Sequence, residues 1–229
     1  MNLPMSRRSR RAFLGTVAAS AAFFSVKGAF AEELAATPER TEGPFYPDRL
    51  PLDTDNDLII INDHVTPAVG EITQLSGRIL GPSGSPLRDV TVEIWQCDAH
   101  EVYLHSADSE GKKAQQDPNF QGFGRFTTGS TGEYRFRTIK PVPYPGRPAP
   151  HIHVKLKRGE RELLTTQLNI AGHPGNKQDG IAMEGTLFER ELLQTEFTPI
   201  PGSKVGELAA KWDIVLGRTP DERTRRTSR

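Results

Sequence analysis

Between residues 141 and 150 the chain carries five prolines, Pro141, Pro143, Pro145, Pro148 and Pro150, and then runs His151-Ile152-His153-Val154-Lys155-Leu156. Each proline fixes φ, removes an amide donor and biases the residue before it toward extended backbone, so regular helix is excluded here. A stiff loop carrying Tyr144 and Arg147 must therefore lead into an extended segment. Strand side chains alternate between faces with period two, which puts His151 and His153 on one face. Ile152 and Val154 are expected on the other face, and Leu156 on the histidine side. Two neutral imidazoles side by side form half of a metal site. An H-x-H pair alone is just as common in ordinary strands, so its context has to decide.

That context is a series of short strands. Residues 71–80 lead into Gly81-Pro82-Ser83-Gly84-Ser85-Pro86, a dense turn signal. Residues 90–97 are apolar on both faces for most of their length, and 133–139 set Tyr134, Phe136 and Thr138 on one face. The histidine strand follows, then 163–170, a polar turn over 172–179, a short helix near 187–193 and a closing strand at 211–216. Residues 98–126 read as one long loop carrying Tyr103, His105 and Asp108, of a length that is usually functional. Six or seven strands with little helix define an all-β sandwich with long functional loops.

Residues 1–31 read as an export signal. Arg7, Arg8, Arg10 and Arg11 precede a mostly small or apolar stretch, and Ala29-Phe30-Ala31 is an A-x-A cleavage site. The apolar stretch is too short and too weakly hydrophobic for a stable membrane anchor. Ser9-Arg10-Arg11-Ala12-Phe13-Leu14 resembles the twin-arginine signal, which implies passage of a folded protein through the twin-arginine export machinery to the periplasm or the exterior. The body, 32–217, is long enough for one domain with a sizeable core, and the basic tail 218–229 is expected to be disordered. Residues 1–31 hold five basic residues and no acid, leaving 24 Lys and Arg against 29 Asp and Glu, which argues against nucleic acid as a partner. The single cysteine, Cys97, excludes an internal disulfide and is expected to be a buried structural thiol.

A metal site needs more than two histidines. Tyr103 and Tyr144, two of four tyrosines in the chain, stand near them in sequence. A tyrosine phenol becomes a hard anionic donor once it loses its proton, and at neutral pH only a strongly charged cation displaces that proton, which favours Fe(III) over zinc or Fe(II). The usual zinc patterns are missing, since there is one cysteine and no H-E-x-x-H.

Several linked stretches between about residues 41 and 179 resemble the intradiol ring-cleavage dioxygenases, nearer the protocatechuate 3,4-dioxygenase-like chains than the catechol 1,2-dioxygenases. They are Thr41-Glu42-Gly43-Pro44-Phe45-Tyr46-Pro47, Val92-Glu93-Ile94-Trp95-Gln96-Cys97-Asp98-Ala99 and Tyr103-Leu104-His105. Gly132-Glu133-Tyr134-Arg135-Phe136-Arg137-Thr138-Ile139-Lys140-Pro141, Tyr144-Pro145, Pro150-His151-Ile152-His153 and Thr166-Gln167-Leu168 continue the series. The resemblance implies a transthyretin-like (prealbumin-like) sandwich and a non-haem Fe(III) held by Tyr103, Tyr144, His151 and His153, with hydroxide in a fifth position. It also implies that O2 is inserted between the two hydroxyl-bearing carbons of a small aromatic diol to give a cis,cis-muconate-type diacid. Tyr144 is then the axial ligand that lets go and takes a catechol proton. Arg147 and Gln167 are pocket residues, the arginine stabilising charge on the ring. Assembly as a homo-oligomer or with a related chain is expected.

Two departures from the family pattern stand out. Arg147 lies four residues before His151 where three are expected, and Cys97 occupies a position expected to be small. His105 and His173 are expected to be loop histidines, and Tyr46 part of a packed lead-in. The competing reading is a binding module on the same sandwich. The complete Tyr, Tyr, His, His set separates the two.

Overall fold

The computed structural model describes residues 33–61 and 66–217. The expected export signal of residues 1–31 and the tail expected to be disordered over 218–229 therefore lie outside the described residues. Among the described residues there are ten strands in two five-stranded sheets, with little helix, so the fold is an all-β sandwich.

One sheet is built on β1 (Ile72–Leu80), which pairs antiparallel with β4 (Glu133–Ile139) and parallel with β9 (Leu208–Lys211) and β10 (Ile214–Val215); β8 (Phe197–Pro199) pairs with β9. The other sheet has the order β3 (Phe123–Thr127), β2 (Thr91–Trp95), β5 (His151–Arg158), β6 (Arg161–Ile170) and β7 (Gln194–Thr195). Val92, Ile94, Ile152, Val154, Leu156 and Leu168 from this second sheet meet Leu75, Ile79, Phe136, Ala210 and Ile214 in the main core. Leu156 thus lies with Ile152 and Val154 and not on the histidine side, as a strict period of two requires.

The same alternation gives the second sheet an outer face that is also buried. There Trp95, Cys97, Tyr103 and Phe123 form a separate cluster, with Phe45, Tyr46 and Tyr144 packed against it. β2 is therefore covered on both sides, as its apolar residues on both faces suggest, and Cys97 is a buried free thiol.

The long loop expected over 98–126 is interrupted twice. α1 (Ser106–Lys112) buries no side chain and leaves no apolar periodicity to read. It is held by its N-terminal end: the His105 Nδ1 accepts the Ala107 amide, and Ser106 donates to Asp48. β3 contains Gly124, a loop signal in sequence, yet a Cβ there would stand 2.5 Å from Leu58 Cδ1 and 2.8 Å from Asp55 O. Close packing explains that glycine. The expected helix near 187–193 is α2 (Leu187–Glu191), started by a Thr186–Glu189 capping box. The closing strand of 211–216 is two pieces, β9 and β10, split where Asp213 turns its carboxylate back onto the Arg78 amide. No helix of the described residues is long and apolar enough to cross a membrane.

Candidate active site

The site lies on the outer face of the second sheet. β5 presents His151 and His153 there, each 2 % exposed, with Trp95 of β2 and Gln167 of β6 opposite His153 in register. Trp95 stacks on the His153 ring at 4.7 Å and 9°. The His151 Nδ1–H donates to Ala149 O at 2.8 Å, which turns its Nε2 lone pair into the pocket. The His153 Nδ1 is buried with no partner.

Tyr103 arrives from the loop after β2. Asp98 folds that loop by accepting the amides of His100 and Val102, each at 2.9 Å, and of Asp117 at 2.7 Å. Asp108 then accepts the Tyr103 amide at 2.8 Å. The phenol oxygen is left 3.1 Å from His153 Nε2 and 3.5 Å from His151 Nε2, and the two Nε2 atoms are 3.1 Å apart. Tyr144 sits edge-on to Tyr103 at 5.3 Å between ring centres and 5.6 Å from the His151 ring. It is the only one of the four that is not fully buried.

Tyr144-Pro145-Gly146-Arg147 is a closed turn. The Arg147 amide donates to Tyr144 O at 2.9 Å, the Tyr144 amide to Arg147 O at 3.1 Å, and Gly146 has φ 87°. Proline second and a positive-φ glycine third is the type II pattern. The turn aims the Arg147 guanidinium at Asp179 Oδ2 (Nε, 2.8 Å) and Gln167 Oε1 (Nη2, 2.8 Å), and Gln167 Nε2 donates to Thr41 O at 2.9 Å.

Residues 41–47 form a strap over this face. Phe45 stacks on Tyr103 at 4.9 Å, and a Cβ on Gly43 would stand 3.5 Å from His153 Cε1. Tyr46 packs edge-on against Trp95 and donates to Glu93 Oε2 at 3.0 Å. Lys155 pairs with Glu42 and lies 4.3 Å over the Tyr46 ring. Tyr46 is thus a packed lead-in, as the sequence suggests, and it also locks the strap down.

The electrostatics favour neutral donors. Burial, reinforced by Arg147, pushes His151 down to about 4. Burial, His151 and Arg147 hold His153 well below the usual range. Burial, with the Cys97 thiol and the Tyr144 hydroxyl nearby, raises Tyr103 far above an ordinary phenol. Tyr144 is raised by burial too, against opposing help from Tyr103 and Arg147. Two imidazole nitrogens and two phenols converge, with the Arg147 charge acting on all four. Among the described residues no three His, Cys, Asp or Glu come together. A cation held here would take phenol oxygens as ligands, and only one charged strongly enough to displace their protons suits them.

The structure therefore brings together all six residues singled out from the sequence: Tyr103, Tyr144, His151, His153, Arg147 and Gln167. His105 caps α1, and His173 caps the short turn of 3-10 helix at Pro174–Lys177, so both have structural tasks. The sequence carries no signal for the roles of Asp179 and Asp108 or for the pairing of Trp95 with His153. Trp95 and Asp98 lie inside a quoted motif, but nothing in the sequence reports what they face.

Fold and pocket together define an all-β sandwich with a two-imidazole, two-phenol site on the outer face of one sheet. Residues 41–218 match the family described as Dioxygenase, and the chain belongs to that family. It is 38 % identical over 167 residues to the protocatechuate 3,4-dioxygenase beta chain of Burkholderia cepacia, covering 68 % of this chain and 69 % of that one. It is 32 % identical over 158 residues to catechol 1,2-dioxygenase 1 of Acinetobacter lwoffii, covering 60 % of this chain but 47 % of the relative. Among solved structures, the dioxygenase domain of a dioxygenase carbohydrate-binding protein fusion from Streptomyces sp. SirexAA-E aligns with a TM-score of 0.60 at 28 % identity, over 81 % of this chain and 100 % of that one.

Proposed function

We propose that the protein is a non-haem Fe(III) dioxygenase that cleaves a catechol-type diol between its two hydroxyl-bearing carbons with O2, giving a cis,cis-muconate-type diacid. The observation that carries this reading is the meeting of Tyr103 Oη, His151 Nε2 and His153 Nε2 within 3.1 to 3.5 Å of one another, beside Tyr144. Tyr103, Tyr144, His151 and His153 are the residues that hold iron in this reading. When bound, Fe(III) supplies the Lewis acidity that makes both diol protons leave and opens the ring to O2.

The protein's own groups do the rest. Ala149 O fixes the His151 tautomer, and Trp95 fixes the plane of His153. With its own proton displaced by the metal, Tyr144, the most accessible of the four, would take a proton at Oη from the incoming diol, with Arg147 beside it. The guanidinium then stabilises negative charge developing on the ring. Phe45 and Gly43 close the pocket over Tyr103 and His153, which excludes water and strengthens every charge interaction inside.

The first test is the visible spectrum and iron content of the purified protein, with turnover of catechol, protocatechuate and hydroxyquinol. Iron near one per chain, a broad tyrosinate charge-transfer band that a diol shifts, and loss of colour in Tyr103→Phe support the assignment. A protein that stays colourless after Fe(III) reconstitution refutes it. Export through the twin-arginine route belongs to the same proposal, and finding the protein in the cytoplasm after cell fractionation would count against it. Self-assembly, or pairing with a related chain, is supported by the match to a chain described as one of a set, and size-exclusion chromatography with light scattering checks it.

A further inference from the structure

We propose that Asp179 is the positioning residue for Arg147, holding the guanidinium against the four donors; this rests on the catalytic reading above. The side chain of Asp179 is 1 % exposed and its two oxygens divide their work. Oδ1 accepts the amides of Ile181 and Ala182, each at 3.0 Å, and so folds its own turn. Oδ2 accepts Arg147 Nε–H at 2.8 Å and the Ala149 amide at 3.3 Å.

Those two partners flank the chemistry. Arg147 closes the turn that carries Tyr144, and its Nη2 donates to Gln167, which lies opposite His153 in register. Ala149, whose amide Asp179 holds, uses its carbonyl to fix the His151 ring. One carboxylate therefore grips both the arginine and the peptide that orients a histidine. Gln167 holds the other arm of Arg147, but as a neutral amide it supplies no opposing charge. The contact depends on the short turn at Pro174–Lys177 lying flush on the proline loop. A Cβ on Gly175 would stand 1.9 Å from Pro148 O, so only glycine lets that turn, and Asp179 just after it, come close enough.

Asp179→Asn isolates this role. The amide oxygen still serves Ile181 and Ala182, but its NH2 then faces two donors, Arg147 Nε–H and the Ala149 amide. Parent, Asp179→Asn, Arg147→Gln and the double variant are loaded with iron and assayed on catechol. The single Asp179 change is expected to lower kcat by about tenfold to a hundredfold, with KM moving less than about threefold. The double variant should be no slower than Arg147→Gln alone. A second measurement needs neither iron nor turnover: the Arg147 Nε–H resonance, assigned by its loss in Arg147→Gln, should exchange slowly with solvent in the iron-free parent and fast in Asp179→Asn.

Parent-like kcat in Asp179→Asn overturns the proposal, as does a double variant that loses the product of the two single losses. So does an Arg147 Nε–H that exchanges freely in the parent, a measurement that stands even where the variant fails to fold. A parent that binds no iron and cleaves no diol overturns the catalytic reading instead, and the exchange measurement still decides whether Asp179 seats Arg147.

Discussion

Glu93→Gln should cost this fold more than any surface charge change, and the structure says roughly how much. The Glu93 side chain is 1 % exposed. Oε1 accepts Arg125 Nε at 3.1 Å and Nη2 at 2.7 Å, while Oε2 accepts Tyr46 Oη at 3.0 Å and pairs with Lys157 Nζ at 2.8 Å. Burial alone would raise this carboxyl, but Lys157 and Arg125 outweigh it and hold the pKa below the ordinary glutamate value. Removing one partner of a fully buried ion pair costs about 3–5 kcal/mol. Here Arg125 and Lys157 keep 38 % and 26 % of their side-chain surface in water, which discounts the loss to about 2–3 kcal/mol. At about 2–4 °C per kcal/mol for a domain of this size, the melting point should fall by roughly 5–10 °C.

Urea unfolding followed by tryptophan fluorescence measures the difference, since Trp95 lies 5.1 Å from the Tyr46 ring. Its pH dependence has a definite sign. The folded-state pKa is depressed, so Glu93 adds stability above the unfolded carboxylate value of about 4.3 and loses it as pH falls through the lower folded value. The gap between parent and Glu93→Gln should therefore be full at neutral pH and shrink in acid. A gap under about 0.5 kcal/mol at neutral pH, the size of an ordinary surface change, would refute the reasoning. A gap that is indifferent to acid would do the same.

Further perturbations read different parts of the molecule. Gly77→Ala in β1 would put a Cβ 1.8 Å from Trp212 O, a backbone collision expected to cost about 3 kcal/mol or more in thermal unfolding, whereas Gly111→Ala in α1 meets nothing within 4 Å and should gain about 0.5–1 kcal/mol. Fe(III) at a hundredfold excess over its Kd should stabilise the parent by about 2.7 kcal/mol, seen as a higher melting point, and His153→Ala should abolish that rise; an unmoved parent counts against the site.

The two-sheet architecture and the six pocket residues could be read in advance because their signals are local. Period-two alternation reported the core face of β4 and, Leu156 apart, of β5, and the donors are chemically distinctive side chains in recognisable stretches. α1 escaped because it is held by an N-terminal cap with no apolar face, and β3 because Gly124 serves packing where the sequence suggests a loop. Asp179 escaped for a different reason: it lies 32 residues from Arg147, and an aspartate after a polar turn looks like any solvated loop acid. The clamp of Lys155 and Glu93 on the strap was hidden likewise, since alternating charge on a strand looks like a wet face. Contacts made across the fold by common residue types leave no local mark.

The turn at Tyr144-Pro145-Gly146-Arg147 has one more consequence. Its two reciprocal hydrogen bonds join the phenol and the guanidinium at either end into one stiff unit. Pro148, Ala149 and Pro150 are the tether between that unit and the histidine strand. A residue gained in the tether carries Tyr144 and Arg147 along together and leaves the spacing between them untouched. The turn, and not the distance to His151, therefore sets the separation of Tyr144 and Arg147. Tether length then shifts that unit as a whole against the histidine strand, without uncoupling the phenol from the guanidinium.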